Sequence, residues 1–318
     1  MGNTLNAGAP PPGNNKKSIR RAGFVAIIGP PNAGKSTLVN RIVGDKVTIV
    51  SPKVQTTRTQ IRGILTTGNT QLILIDTPGI FVDAKKRLER SMVHAAWKGE
   101  NEADITLFLI DPKRGICSDT ESIFNKFRSQ KRRPLIAINK IDSIKRDALL
   151  PLVSKIQKLS IFERVFMISA LNGDGMNDLT DYLCTNLPEG PWLYPEDQLS
   201  DISERVLAAE ITREKIFTQL HQELPYSIAV ETEQWQELSD GSCRVEQVVF
   251  VQRENHKIMV LGKNGRRIKS IGTAAREEIT NLLGRKVHLF LFVKVREHWI
   301  DDPEYYNNIG LEYDLKPE

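Results

Sequence analysis

The sequence predicts two α/β units in tandem: a doubly wound domain with a mainly parallel sheet, then a smaller α+β domain. Three observations carry this. Near-continuous Ile/Leu/Val runs alternate with amphipathic stretches from Phe24 to about Asn186, as in sheets covered by helices on both faces. The alternation stops at residues 187–197, which hold three prolines and no usable period. Beyond them, two strand-like runs, three helical stretches and a closing apolar run form a second pattern.

The elements follow in order. Residues 1–15 are mostly Gly, Pro and Asn and read as disordered; with the basic cluster Lys16, Lys17, Arg20 and Arg21 they make an extension over 1–22. In the first domain, 23–187, strands are expected over 24–28, 61–65, 72–75, 105–110, 135–138 and 165–168. Helices are expected over 35–43, 86–98, 118–127, 146–159 and 176–186. A linker over 188–200 leads to a domain over 201–300: a helix at 202–222, strands at 226–231 and 243–252, a helix at 255–261, a glycine-bounded turn, a helix at 266–283 and a strand at 286–296. Residues 301–318 form an acidic tail, with six Asp or Glu against Lys316.

Composition excludes several classes. The 318 residues are 40% hydrophobic and 26% charged, which is ordinary for globular domains. No apolar run of about 18 residues exists, which argues against a transmembrane helix. The amino terminus has no apolar stretch suited to a secretory signal. Cys117, Cys184 and Cys243 are odd in number and in no ligand spacing, which argues against disulfides and zinc and for a cytoplasmic location. A net charge of +5 names no partner by itself.

The chemistry begins after the first strand. Gly29, Pro30, Pro31, Asn32, Ala33, Gly34, Lys35 and Ser36 spell the phosphate-binding pattern GxxxxGK[ST] between a predicted strand and a helix that continues through Thr37. Its glycines let backbone N–H groups cradle phosphate oxygens, Lys35 meets the β- and γ-phosphates, and the Ser36 hydroxyl binds Mg²⁺. Asp76, Thr77, Pro78 and Gly79 close the strand run at 72–75. At that edge Asp76 can hold the Mg²⁺ shell and Gly79 can offer its N–H to the γ-phosphate. Asn139, Lys140, Ile141 and Asp142 end the run at 135–138. A carboxylate at Asp142 accepts from both the ring N–H and the amine of guanine, whereas adenine would leave it facing an acceptor. Ser169, Ala170 and Leu171, after 165–168, supply a backbone N–H to the guanine carbonyl. Four loops at four strand ends point to GTP and GDP as ligands.

On these motifs residues 23–187 resemble the translation-factor-related GTPases. The resemblance implies a switch threonine that closes over Mg²⁺; of Thr56 and Thr57, the residue just before Arg58 is the match. Catalysis is thus expected from Lys35, Thr57, Asp76 and Gly79. Where Ras-like members carry a water-orienting glutamine, this chain has Ile80, so the resemblance is to the branch with slow intrinsic hydrolysis. Asn32 matches the asparagine that in part of this branch helps hold a K⁺ near the phosphates.

The second unit carries Gly262, Lys263, Asn264 and Gly265 between two helical stretches, followed by Arg266, Arg267 and Lys269. A turn without β-carbons lets a nucleic-acid backbone approach, and the next helix start attracts phosphate. The KH module clamps about four nucleotides this way. Between Arg253 and Arg296 eleven basic residues face three acidic ones. Trp192, Tyr194, Trp235 and Trp299 could stack on bases, although aromatics near linkers more often anchor packing.

Together these features resemble bacterial GTPases of that class with a C-terminal, type II KH domain, from about residue 23 to 302. The resemblance implies binding to small-subunit ribosomal RNA near its 3′ end, action in assembly of the small ribosomal subunit, a monomer, and peripheral contact with the inner membrane. A competing reading makes the second domain a protein- or membrane-docking module of a signalling GTPase.

Overall fold

The structure is a computed structural model that describes residues 19–53, 55–81, 84, 86–220 and 227–314. Most of the expected amino-terminal extension lies outside the described residues, but its end does not: β1 (Arg21–Ile28) starts three residues earlier than its apolar run, because Arg21 and Ala22 pair alongside Thr70 and Gln71. The first sheet has the order β2 (Ile61–Thr67), β3 (Thr70–Asp76), β1, β4 (Ile105–Ile110), β5 (Leu135–Ile138) and β6 (Val165–Met167). All neighbours are parallel except β2 and β3, a hairpin at the edge.

Helices α1 (Lys35–Val43), α2 (Arg87–Glu102), α3 (Ser118–Gln130), α4 (Arg146–Lys158) and α5 (Met176–Asn186) cover both faces. Strand alternation divides the core. Val25, Ile27, Leu72 and Leu74 pack with Leu38 of α1 and Leu179 of α5. Ala26, Ile28, Phe108 and Ile136 pack with Phe124 of α3 and Ile156 of α4. The four nucleotide motifs therefore sit together at the C-terminal edge of the parallel strands, where open α/β sheets bind ligands.

The connecting stretch does not hang free. Gln71 holds it through the Leu193 and Tyr194 N–H groups, and Leu199 to Asp201 bonds along β2. In the second domain α6 (Glu204–Gln219) and α8 (Arg266–Leu283) cover one face of a sheet ordered β7 (Ile228–Glu237), β8 (Cys243–Val251), β9 (Val287–Val295), with α7 (Glu254–Leu261) before the glycine turn. The β7–β8 pair is antiparallel and β8–β9 parallel. Phe217, Val249 and Ile271 typify its core. Strand β7 runs six residues past its apolar stretch as an exposed hairpin arm, where nothing is buried to mark it.

The acidic C-terminal segment is packed, not loose. Asp302 caps a short helix, α9 (Pro303–Asn308). Tyr305, Tyr306 and Leu311 bury against Leu88 and Met92 of α2 together with Trp299. The surrounding Asp and Glu residues hid this spaced apolar set.

Candidate functional site

The phosphate loop joins β1 to α1. Gly34 has φ 95°, and a Cβ there would lie 2.3 Å from the Asn139 side-chain nitrogen. Only glycine lets the loop seat against the 139–142 turn. The Asn139 amide donates to the Ala33 carbonyl at 2.9 Å and accepts from the Ala170 N–H at 3.0 Å. It ties the phosphate loop, its own turn and the 169–171 loop into one body. Lys140 adds a second tie, donating to the Asn32 carbonyl at 2.5 Å and pairing with Asp111 at 2.9 Å.

Lys35 is buried and donates to the Gly29 and Pro30 carbonyls, both at 3.1 Å. Burial lowers its pKa to about 8, against the attraction of Asp76. An ammonium held by neutral carbonyls gains a stronger partner when an anion arrives. Asn32 is exposed at φ 64°, and Pro30, Pro31 and Ala33 are buried beneath it. Lys35, Thr37, Thr57 and Lys140 are among the residues lining a cleft of about 430 Å³.

Asp76 ends β3 and is fully buried. Its Oδ2 accepts from Ser36 at 2.7 Å, Thr48 at 2.8 Å and Thr57 at 3.4 Å, and the Ser36 and Thr57 hydroxyls are 2.9 Å apart. Burial raises the Asp76 pKa, opposed by these hydroxyls and by Lys35. Its Oδ1 is buried with no hydrogen-bond partner. A carboxylate and two hydroxyls converging beside an unsatisfied oxygen fit a hard, oxygen-seeking cation such as Mg²⁺. Thr56 faces away, its hydroxyl donating to the Lys53 carbonyl at 2.5 Å.

The Thr77 hydroxyl anchors to the Ile27 carbonyl at 2.7 Å and Pro78 is buried. Gly79 crosses close over Pro31, where a Cβ would meet the proline Cα at 2.9 Å. Ile80 donates its N–H to the Gly29 carbonyl at 3.0 Å, and its side chain is buried in the core beside Ala26 and Ile28. No side chain at position 80 reaches the cleft. On the base side, Asp142 is exposed and accepts from the Ser169 hydroxyl at 2.5 Å through Oδ1. Ile141 packs into the core, whereas Leu171 is 71% exposed at the rim.

The second candidate site is the turn between α7 and α8. Gly262, Asn264 and Gly265 all have φ between 53° and 71°. Lys263, Asn264, Arg266, Arg267 and Lys269 are exposed, and a shallow recess of about 320 Å³ lies beside them, reaching Gln219 and Ser270. The basic excess is unevenly spent. Arg285 pairs with Glu204 and Glu237, Lys294 with Glu233, and Arg296 with Asp302. The cations of the turn make no ion pair among the described residues, so the positive potential concentrates there. Of the aromatics, Trp299 is buried and Trp192 lies beneath Arg20 at 4.5 Å, so both serve packing.

Comparison with known proteins identifies the combination. A family model described as 50S ribosome-binding GTPase matches residues 24–140, and a KH-domain model matches residues 223–300. GTPase Era of Agrobacterium fabrum is 56% identical over 293 residues, 92% of each chain. The chain belongs to the Era family of GTPases. Era of Brucella suis is 52% identical over 310 residues, 97% of this chain and 99% of its own. An Aquifex aeolicus Era variant bound to GDP and AlF₄⁻ superposes with a TM-score of 0.87 at 40% identity, covering 93% of this chain and 100% of its own. An Era complex with MgGDPNP and nucleotides 1506–1542 of 16S ribosomal RNA matches with the same score, identity and coverage. As an Era-family member the chain is a GTPase whose second domain is a KH domain.

Two residues of this Era-family site escaped the sequence reading. Thr48, fully buried, donates to Asp76, and Asn40 of α1 fixes it by accepting from the Val47 and Thr48 N–H groups, both at 3.0 Å. Neither belongs to a spaced motif. Only Asn40, a polar side chain within an otherwise amphipathic helix, left any signal. Among the described residues no helix is long and apolar enough to cross a membrane.

Proposed function

We propose that this GTPase acts in assembly of the small ribosomal subunit, engaging small-subunit ribosomal RNA near its 3′ end while GTP is bound and releasing it after hydrolysis. One observation carries the reading: 93% of the chain matches an Era structure that holds both a GTP analogue and 16S ribosomal RNA nucleotides. In this reading residues 23–187 bind the nucleotide, 188–200 link, and 201–300 bind RNA.

The residue roles follow from the geometry. The phosphate loop from Gly29 to Ser36 surrounds the phosphates with backbone N–H groups, and Lys35 supplies the fixed positive charge. Asp142 reads the guanine amine edge, with Ser169 holding one of its oxygens and the Ala170 N–H tied through Asn139. Ser36, Thr57 and Asp76 hold Mg²⁺, which when bound neutralises charge developing on the transferred phosphoryl oxygens. Gly79, lacking a side chain, lets its loop lie against the phosphate loop and direct its N–H toward the γ-phosphate. Ile80 is buried, so no side chain there orients the attacking water and the intrinsic rate is slow. Asn32, exposed beside the cleft, is the candidate for K⁺ stimulation, tested by exchanging KCl for NaCl. In the same reading the protein is a cytoplasmic monomer with peripheral contact at the inner membrane, checked by gel filtration and by liposome flotation.

Filter binding of a 16S 3′-end RNA fragment to the full chain, with GDPNP and with GDP, tests the central claim. Tight binding with GDPNP, falling steeply with salt and weaker with GDP, is expected. Equal binding of a scrambled RNA, or equal affinity in both nucleotide states, would contradict it.

A further inference from the structure

Thr57 is flanked on both sides by anchors that lie outside the nucleotide-binding domain, in the second domain and the C-terminal segment. On its N-terminal side, the Thr56 carbonyl accepts from Arg213 of α6, a guanidinium only 2% exposed that is also held by Glu210 at 2.8 Å. On its C-terminal side, Arg58 is likewise 2% exposed. Its guanidinium donates to the Ile228 carbonyl at 2.8 Å and to the Tyr305 hydroxyl at 3.0 Å, 247 positions away. Tyr305 is itself fixed edge-on to Trp299, ring centres 4.7 Å apart. Upstream, the Val50 N–H donates to Glu214 of α6 at 2.8 Å, and Lys46 pairs with the same carboxylate at 2.6 Å. The segment that carries Thr57 to Ser36 and Asp76 is thus gripped from outside the nucleotide-binding domain.

These grips are more than domain glue. A buried guanidinium has lost its hydration, so the hydrogen bonds that each of these two does make hold it in place. Arg58 is covalently next to Thr57, and a small displacement of the backbone there moves a hydroxyl that must sit within hydrogen-bonding reach of Ser36. We propose that Tyr305 and Arg213 are positioning residues for GTP hydrolysis: through Arg58 and the Thr56 carbonyl, they hold the Thr57 hydroxyl at the Asp76 site. The inference rests on the reading of Thr57 as the switch threonine.

Tyr305→Phe tests it, since the ring packing stays and only the hydroxyl bonded to Arg58 goes. With the full-length chain, kcat for GTP is expected to fall about tenfold, the loss typical of a hydrogen bond to a charged group. Equilibrium affinity for GDPNP relative to GDP should fall by a similar factor in Mg²⁺ while GDP affinity stays near the parent value; Tm falls by a few degrees, because the bond is also lost from the nucleotide-free fold. The effect should vanish in a Thr57→Ala background, where nothing remains to position. The proposal is overturned if Tyr305→Phe keeps the parent kcat and GDPNP:GDP ratio, if its loss adds fully to that of Thr57→Ala, or if GDP affinity drops in step. If Thr57→Ala alone behaves like the parent, the switch-threonine reading falls together with the proposal.

Discussion

Two glycine-bounded turns in this molecule each open onto a helix start, yet they are built in opposite ways. The phosphate loop is walled by other loops: Asn139, Lys140, Arg114 and Ile80 all bond to its carbonyls. The turn at 262–265 is bounded by its own two helices, and its side chains face solvent. The first suits one small ligand of fixed shape, because the backbone of the cradle is braced beforehand. The second suits a polymer whose backbone is tracked by charge, with little to rearrange. Exposure here separates a site that discriminates from one that grips.

The contrast can be broken most sharply at Lys35. Lys35→Ala should weaken GTP binding at least a hundredfold, measured with a fluorescent nucleotide, and leave RNA binding by the nucleotide-free chain intact. Asp142→Asn comes next, lowering GTP affinity about a hundredfold while narrowing the preference over ATP, because a mismatched polar contact on the purine edge is costly.

The pH dependence sharpens the same comparison. In the folded, nucleotide-free chain the Lys35 pKa is lowered to about 8 from 10.5. Between these values the unfolded chain holds a proton that the folded chain has shed, so nucleotide-free stability rises as pH increases through that window. Nucleotide binding needs the ammonium, so GDP affinity should be flat below pH 8 and fall about tenfold per unit above it. A flat profile to pH 10 would contradict the buried-cation account.

At the exposed turn, replacing Lys263 and Asn264 by Asp should weaken RNA binding roughly tenfold to a hundredfold without changing GDP affinity. Lys263→Ala alone should shift the log–log salt slope by about 0.7, the value for one contact to a single strand. The smallest effect is expected at the surface pair of Lys98 and Glu312, 3.0 Å apart and about half exposed on both sides. Glu312→Gln should change stability by less than about 0.5 kcal/mol in urea unfolding.

Much of this architecture is legible in the sequence because local pattern and tertiary role coincide. The runs at β4 and β5 are apolar throughout since both faces are covered, and their limits fall where the pattern puts them. Helices α1 and α8 start directly after glycines, so punctuation marks them. The nucleotide motifs are readable because phosphate cradles require glycine and base reading requires a carboxylate. What stays hidden depends on distant partners. Thr48 gains meaning from Asp76 and Asn40, Arg58 from Ile228 and Tyr305, and Tyr305 from α2 and Trp299. The acidic C-terminal segment misleads because net charge describes its surface, whereas two tyrosines and a leucine decide its packing.

The side chain of Asn139 has a consequence for the order of events. Because one amide braces the floor under the phosphates and the wall beside the purine, neither recess waits for the other to be filled. Guanosine, with no phosphates at all, would find its berth already shaped, and capture of the nucleotide would be limited by encounter and not by remodelling of the cradle.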